Sequence, residues 1–177
     1  MVGSLMISVM VLGSNPDPLY LYRASKLQNA KLIMEYASKK SQDPYELLAI
    51  SITESNLNPK ALSNKGAIGL FQVMCKYWFK QNGYKSVVHC EKQLYKPTHN
   101  IRAGILVLTT VRKKYEQCKK NLAYRCYFAG QGWRKYRGKT KKSIIRYENK
   151  INERKEILKT HYSKFIDDYM YHIKNRS

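Results

Sequence analysis

The stretch DPYELLAISITESNLNP, Asp43 to Pro59, decides how this chain is read. Asp43 can cap a helix, Pro44 takes the first helical position, where a missing N–H costs nothing, and Glu46 stands three residues after the cap. The helix should run to about Glu54 or Ser55 and end before Asn58 and Pro59, because a residue preceding proline disfavours the helical region. Residues three, four and seven apart share a helix face, so Leu47, Ile50 and Glu54 fall on one stripe. A carboxylate is thereby directed at the core or at a cleft wall. Burial and the negative end of the helix dipole both oppose its ionised form, which moves its pKa toward the range useful to a general acid at neutral pH. A glutamate turned to solvent at a frayed helix end is the alternative that this helix alone leaves open.

Working outward, the apolar spacing is helical nearly everywhere. Leu19 to Lys39 carries Leu27, Ala30, Ile33 and Met34 at helical intervals. Asn56 to Gly69 reads as loop or a short irregular hairpin, and a short helix is expected through Leu70, Val73, Met74 and Tyr77. NIRAGILVLTTVRKKY, Asn100 to Tyr115, reads as a core helix, and NLAYRCYFAGQG as a compact helix closed by Gly130. From Lys141 onward Ile144, Tyr147, Ile151, Leu158, Tyr162, Phe165 and Tyr169 recur at helical spacing, as one long basic amphipathic helix or as two interrupted at Arg154. The expected fold class is all-α, α+β at most. It divides into an N-terminal segment over residues 1–18, a helical domain over 19–140 and a basic C-terminal helical extension over 141–177.

The 177 residues hold 33 Lys and Arg against 12 Asp and Glu, a net charge of +21. That imbalance points to polyanionic partners: nucleic acid, acidic lipid headgroups or an anionic cell-wall polymer. It is concentrated between Trp133 and Lys164, where twelve basic residues face only Glu148, Glu153 and Glu156. Tyrosines interleaved there, Tyr136, Tyr147 and Tyr162, would allow phosphate contact and base stacking in a non-enzymatic nucleic-acid or wall binder, although helical spacing of this kind is more often packing. Cys75, Cys90, Cys118 and Cys126 form an even set compatible with two disulfides outside the cytoplasm. Proximity favours 75 with 90 and 118 with 126, three connectivities are possible, and four buried thiols are the alternative. No metal-ligand spacing is present, and no cofactor is implied. An apolar run, Leu5 to Leu12, precedes Gly13 as in a signal peptide, but no Lys or Arg stands before Arg23. An export signal, a membrane-active tip and a buried segment all stay open. The run is too short to span a bilayer.

After Glu54 the next acid is Glu91. A glycosidase of the two-carboxylate kind needs a partner across the scissile bond, and this interval holds none, though Glu116 or Glu148 could fold into place. It holds instead Ser55, Ser63, Gly66, Gly69 and Gln72: hydroxyl and amide groups suited to a neutral sugar, and glycines that let backbone approach a ligand.

These residues form a pattern. ESNLNPKALSNKGAIGLFQVM, Glu54 to Met74, resembles the lytic transglycosylases of the goose-type-lysozyme-like superfamily, whose signature is Glu-Ser, Asn-Pro, a Ser before Gly-Ala, and Gly-Leu-Met-Gln before a hydrophobic pair. NIRAGILVL, Asn100 to Leu108, is similar to the family's Asn-Ile-x-x-Gly helix, and CYFAG, Cys126 to Gly130, to its Ala-Tyr-Asn-Ala-Gly segment. The resemblance covers about half the chain, from Pro44 to Gly132, and implies a lysozyme-like helical domain. It implies Glu54 as catalytic acid and base, Ser63, Gln72 and Met74 lining sugar subsites, and Tyr127 hydrogen-bonding near the carboxylate. Ser55 and Gly69 become structural neighbours. Phe71 replaces a usual Met, Phe128 replaces the motif Asn, and Cys75 stands where many relatives have proline.

The implied reaction breaks the β-1,4 bond between N-acetylmuramic acid and N-acetylglucosamine in peptidoglycan. The muramic 6-hydroxyl attacks to leave a 1,6-anhydro end, and neither metal nor organic cofactor takes part. Hydrolysis by a goose-type lysozyme is the rival outcome. The implied partners are glycan strands and, through the basic tail, anionic wall or outer-membrane polymers. The implied place of action is outside the cytoplasm, at a host periplasm or wall. A phage enzyme, carried in the virion or used for lysis, and a secretion-associated muramidase are the two settings that fit.

Overall fold

A computed structural model describes residues 24–119 and 122–175. The apolar run from Leu5, the small residue Gly13 and the first turn of the helix expected from Leu19 lie outside the described residues. Helices α1 (Ala24–Lys39), α2 (Pro44–Ser55), α3 (Cys75–Trp78), α4 (Val87–Leu94), α5 (Pro97–Lys114), α6 (Ala123–Ala129) and α7 (Gly138–Lys174) make up almost all of the regular structure. Two 3₁₀ turns, Glu116–Cys118 and Trp133–Lys135, and a two-stranded antiparallel pair, β1 (Ala67–Ile68) and β2 (Val73–Met74), complete it. Among the described residues no helix is long and apolar enough to cross a membrane.

The start of α2 follows from its sequence. Asp43 sits in extended backbone and its carboxylate accepts from the N–H groups of Tyr45 and Glu46, with Pro44 as the first helical residue. Glu46 does not reach back to complete a capping box. Its carboxylate takes both guanidinium arms of Arg112 on α5, at 2.8 and 2.5 Å, and the Tyr124 hydroxyl of α6. One buried acid thus ties three helices together, and its two donors leave it paired rather than stranded.

The main core gathers Ile33 and Met34 of α1, Leu47 and Ile50 of α2, Ile101 and Leu108 of α5, and Ile151 and Leu158 of α7. A smaller cluster of Val111, Cys118, Cys126, Trp133 and Ile144 surrounds the turn into α6. The α7 stripe forms one uninterrupted helix. Its Ile144 and Ile151 are fully buried, and Lys155 pairs with Asp43 at 2.6 Å. The helix is packed into the body along α2, and its polar face carries the basic residues.

The helix expected through Leu70 to Tyr77 is not formed. Gly69 and Gln72 both take positive φ, +73° and +46°, which breaks helical phase. Ala67 pairs instead with Met74 and Ile68 with Val73, and only Cys75–Trp78 is helical. The four cysteines form two disulfides in the pairing that proximity favours, Cys75–Cys90 and Cys118–Cys126. The first anchors the start of α3 directly after Met74. The second fixes α6 at the residue before Tyr127.

Candidate active site

Glu54 is the penultimate residue of α2, and the helix stops beyond it because Asn56 turns left-handed, at φ 54° and ψ 42°. The Glu54 carboxylate does not turn to solvent: it accepts the hydroxyl of Tyr147 from α7. Burial pushes the carboxyl from its ordinary 4.5 up to about 7, and the Tyr147 hydrogen bond draws it partly back. Helix phase therefore gave the right direction of shift, with desolvation as its leading cause. Tyr147 and Tyr127 are both held far above the ordinary tyrosine range, first by burial and then by the nearby Glu54 charge, so both remain hydrogen-bond donors.

The hairpin that follows α2 is clamped to the Glu54 end of the helix. Ser51 and Ser55, one turn apart, both donate to the Leu70 carbonyl, at 3.1 and 2.9 Å. The next carbonyl, of Phe71, accepts the Tyr127 hydroxyl at 2.6 Å. Tyr127 thus bonds to the loop beside the carboxylate and not to the carboxylate itself. Asn100 of α5 holds the same loop from below, accepting from the Phe71 N–H and donating to the Ile68 and Leu94 carbonyls, each at 2.8 Å. A Cβ on Gly69 would lie 2.2 Å from the Asn100 amide nitrogen, so only glycine fits there.

The other expected sugar contacts have defined places. The Gln72 amide nitrogen donates to the Gly69 and Ala61 carbonyls, at 3.0 and 3.3 Å, and so helps to hold the hairpin. The Ser63 hydroxyl accepts from the Lys65 and Ala67 N–H groups and closes the turn before β1. Met74 is half-buried opposite Ala67. Neither distant acid is a free partner for Glu54. Glu148 pairs with Arg125 at 2.6 Å, and Glu116 is exposed beside Lys119. Among the described residues, no group of three or more His, Cys, Asp or Glu could hold a metal ion.

Tyr147 is the site residue that sequence reasoning placed elsewhere, on a packing stripe or a stacking surface. Its position is signalled only by phase, since it lies on the buried stripe of a helix whose partner could not be read from the chain. Phe128, at the motif Asn position, stacks on the Tyr147 ring at 4.7 Å between centroids and 27° between planes, and remains 49% exposed.

The chain is similar to several known proteins. The membrane-bound lytic murein transglycosylase C of Histophilus somni is 36% identical over 88 residues, 48% of this chain and 24% of that protein. The protein of the same name from Yersinia enterocolitica is 35% identical over the same shares. The chain thus matches about a quarter of the length of these curated relatives. The 70 kDa soluble lytic transglycosylase SLT70 from Escherichia coli aligns in structure over 80% of this chain and 22% of its own, at 23% identity and a TM-score of 0.47. The transglycosylase SLT domain matches residues 31–149, from within α1 to the Tyr147 turn of α7. With well over half of its length inside that match, the chain belongs to the transglycosylase SLT domain family.

Proposed function

We propose that this chain is a peptidoglycan lytic transglycosylase in which Glu54 is the single catalytic carboxyl. The reading rests above all on one observation: the carboxyl of Glu54, desolvated by burial, has a tyrosine hydroxyl as its partner at the end of α2 to which the hairpin is clamped. Such a group is protonated often enough near neutrality to donate to a glycosidic oxygen and basic enough afterwards to take a proton back. Glu54 protonates the oxygen leaving N-acetylmuramic acid while the substrate's own N-acetyl group supports the oxocarbenium-like centre. The resulting carboxylate, steadied by Tyr147, then removes the proton of the muramic 6-hydroxyl as that oxygen closes the anhydro ring. No second carboxylate is needed, because the attacking group belongs to the sugar. Two disulfides suit work in an oxidising compartment outside the cytoplasm. The exposed Lys142, Arg146 and Lys150 of α7, spaced every four residues, suit an anionic wall polymer.

Digestion of purified sacculi followed by mass analysis of the released muropeptides tests the reaction. Anhydro ends are expected. Reducing ends would replace the proposal with hydrolysis by water, and no release would remove the enzymatic reading.

Tyr147→Phe separates the hydroxyl from the ring. The hydroxyl favours ionised Glu54, so its loss should move the alkaline limb of the activity profile above the wild-type position near pH 7. The rate should fall about tenfold as the carboxylate loses a charge-assisted hydrogen bond. An alkaline limb that stays in place would remove Tyr147 from the site.

A further inference from the structure

Phe128 packs one face on Tyr147 yet stays half exposed, and the proposed proton chemistry does not use it. The exposed large apolar residues among those described are Leu62, Tyr77, Val88, Phe128, Tyr136 and Tyr171. Of these, Phe128 alone stacks on a ring whose hydroxyl is bonded to Glu54. Its backbone is anchored by the two residues before it: Cys126 is locked to Cys118, and Tyr127 is bonded to Phe71. A half-exposed phenyl stacked on the tyrosine that partners Glu54 leaves apolar surface that water covers poorly.

We propose that Phe128 is a substrate-contacting platform on which a pyranose of the glycan strand lies flat beside Glu54. This deepens the glycan-cleaving reading above and rests on it. A β-1,4-linked N-acetylated pyranose holds its polar groups around the ring edge and turns C–H groups to its faces. Those weakly positive C–H groups meet the negative face of the phenyl ring, while the exposed phenyl surface leaves water. An amide at this position would make one directional hydrogen bond. The phenyl replaces it with a broad apolar contact, and the Phe128–Tyr147 stack makes sugar binding and carboxyl placement share one rigid aromatic pair.

The test uses the full chain carrying Glu54→Gln, so that a bound sugar is not turned over, titrated calorimetrically with the N-acetylglucosamine tetramer. Adding Phe128→Trp should keep the affinity within about threefold, while Phe128→Leu and Phe128→Asn should each lose about tenfold, the scale of one aromatic contact. Leucine keeps the bulk that packs on Tyr147 but has no flat face. Affinity of the leucine or asparagine variant within threefold of the parent would overturn the platform, as would a tenfold loss shared by the tryptophan variant. Failure of the folded Glu54→Gln parent to bind the tetramer would instead overturn the glycan reading beneath it. In the active enzyme, Phe128→Leu should raise KM on glycan strands by about tenfold, as for a lost substrate contact.

Discussion

Glu54→Gln is expected to reduce muropeptide release from sacculi by about 10³-fold or more, the loss that follows removal of a general acid and base. The same substitution is expected to make the protein more stable at alkaline pH. In the unfolded chain the carboxyl ionises around 4.5, whereas in the native protein burial keeps it protonated up to about 7. Between those values the native state binds more protons than the unfolded state, so wild-type stability falls as pH rises through the window. Glutamine has no proton to lose and can still accept the Tyr147 hydroxyl. The stability difference between variant and wild type should therefore be smallest below pH 4. It should grow through the window and reach about 1–3 kcal/mol above pH 7.5. Thermal melts of both proteins across that range measure it. A difference independent of pH would mean that Glu54 is not the desolvated carboxyl described here, and retained muropeptide release would remove it from the chemistry.

That expected pairing of lost activity with gained stability fits the way Glu54 stands out in the sequence. A stripe of Leu47, Ile50 and Glu54 is a local inconsistency, and such inconsistencies concentrate where function opposes stability. Helix α2 was equally legible, because Asp43, Pro44 and the terminating Asn58–Pro59 are local signals that act through backbone geometry. The hairpin was legible only as far as Gly69. Leu70, Val73, Met74 and Tyr77 have helical spacing, and what overrides it is tertiary: the Leu70 carbonyl is taken by two serines of α2 and the Phe71 carbonyl by Tyr127. Tyr147 was legible as a core-facing residue but not as a partner of Glu54. The pairing depends on α7 returning across 93 residues to the end of α2. Composition located the basic charge of α7, yet only packing reveals that the opposite face of the same helix carries the hydrogen-bond partner of Glu54.

Asn100→Ala carries the second large effect, and it is purely structural in origin. Asn100 is fully buried on α5, and its amide makes three hydrogen bonds to backbone: one to the Phe71 N–H and two to the Ile68 and Leu94 carbonyls. Alanine offers none of these, and each buried group stripped of its partner costs about 1–3 kcal/mol. One turn further along α5, Gly104 supplies the complementary fit. A Cβ there would lie 2.3 Å from the Phe71 ring, so the helix accepts a glycine, at about 1 kcal/mol relative to alanine, to let Phe71 sit against its backbone. Asn100 and Gly104 thus hold the backbone and the side chain of the same residue, whose carbonyl in turn holds Tyr127. Asn100→Ala should lower unfolding free energy by about 3–5 kcal/mol, a large fraction of the 5–15 kcal/mol typical of a domain. Asn100→Asp should do no better. It keeps the acceptor for Phe71 but turns a carboxylate oxygen toward two carbonyls. Urea titrations of both variants give the comparison. A loss below about 1 kcal/mol for alanine, or an aspartate variant as stable as wild type, would show that the hairpin is held by the serine and tyrosine contacts alone.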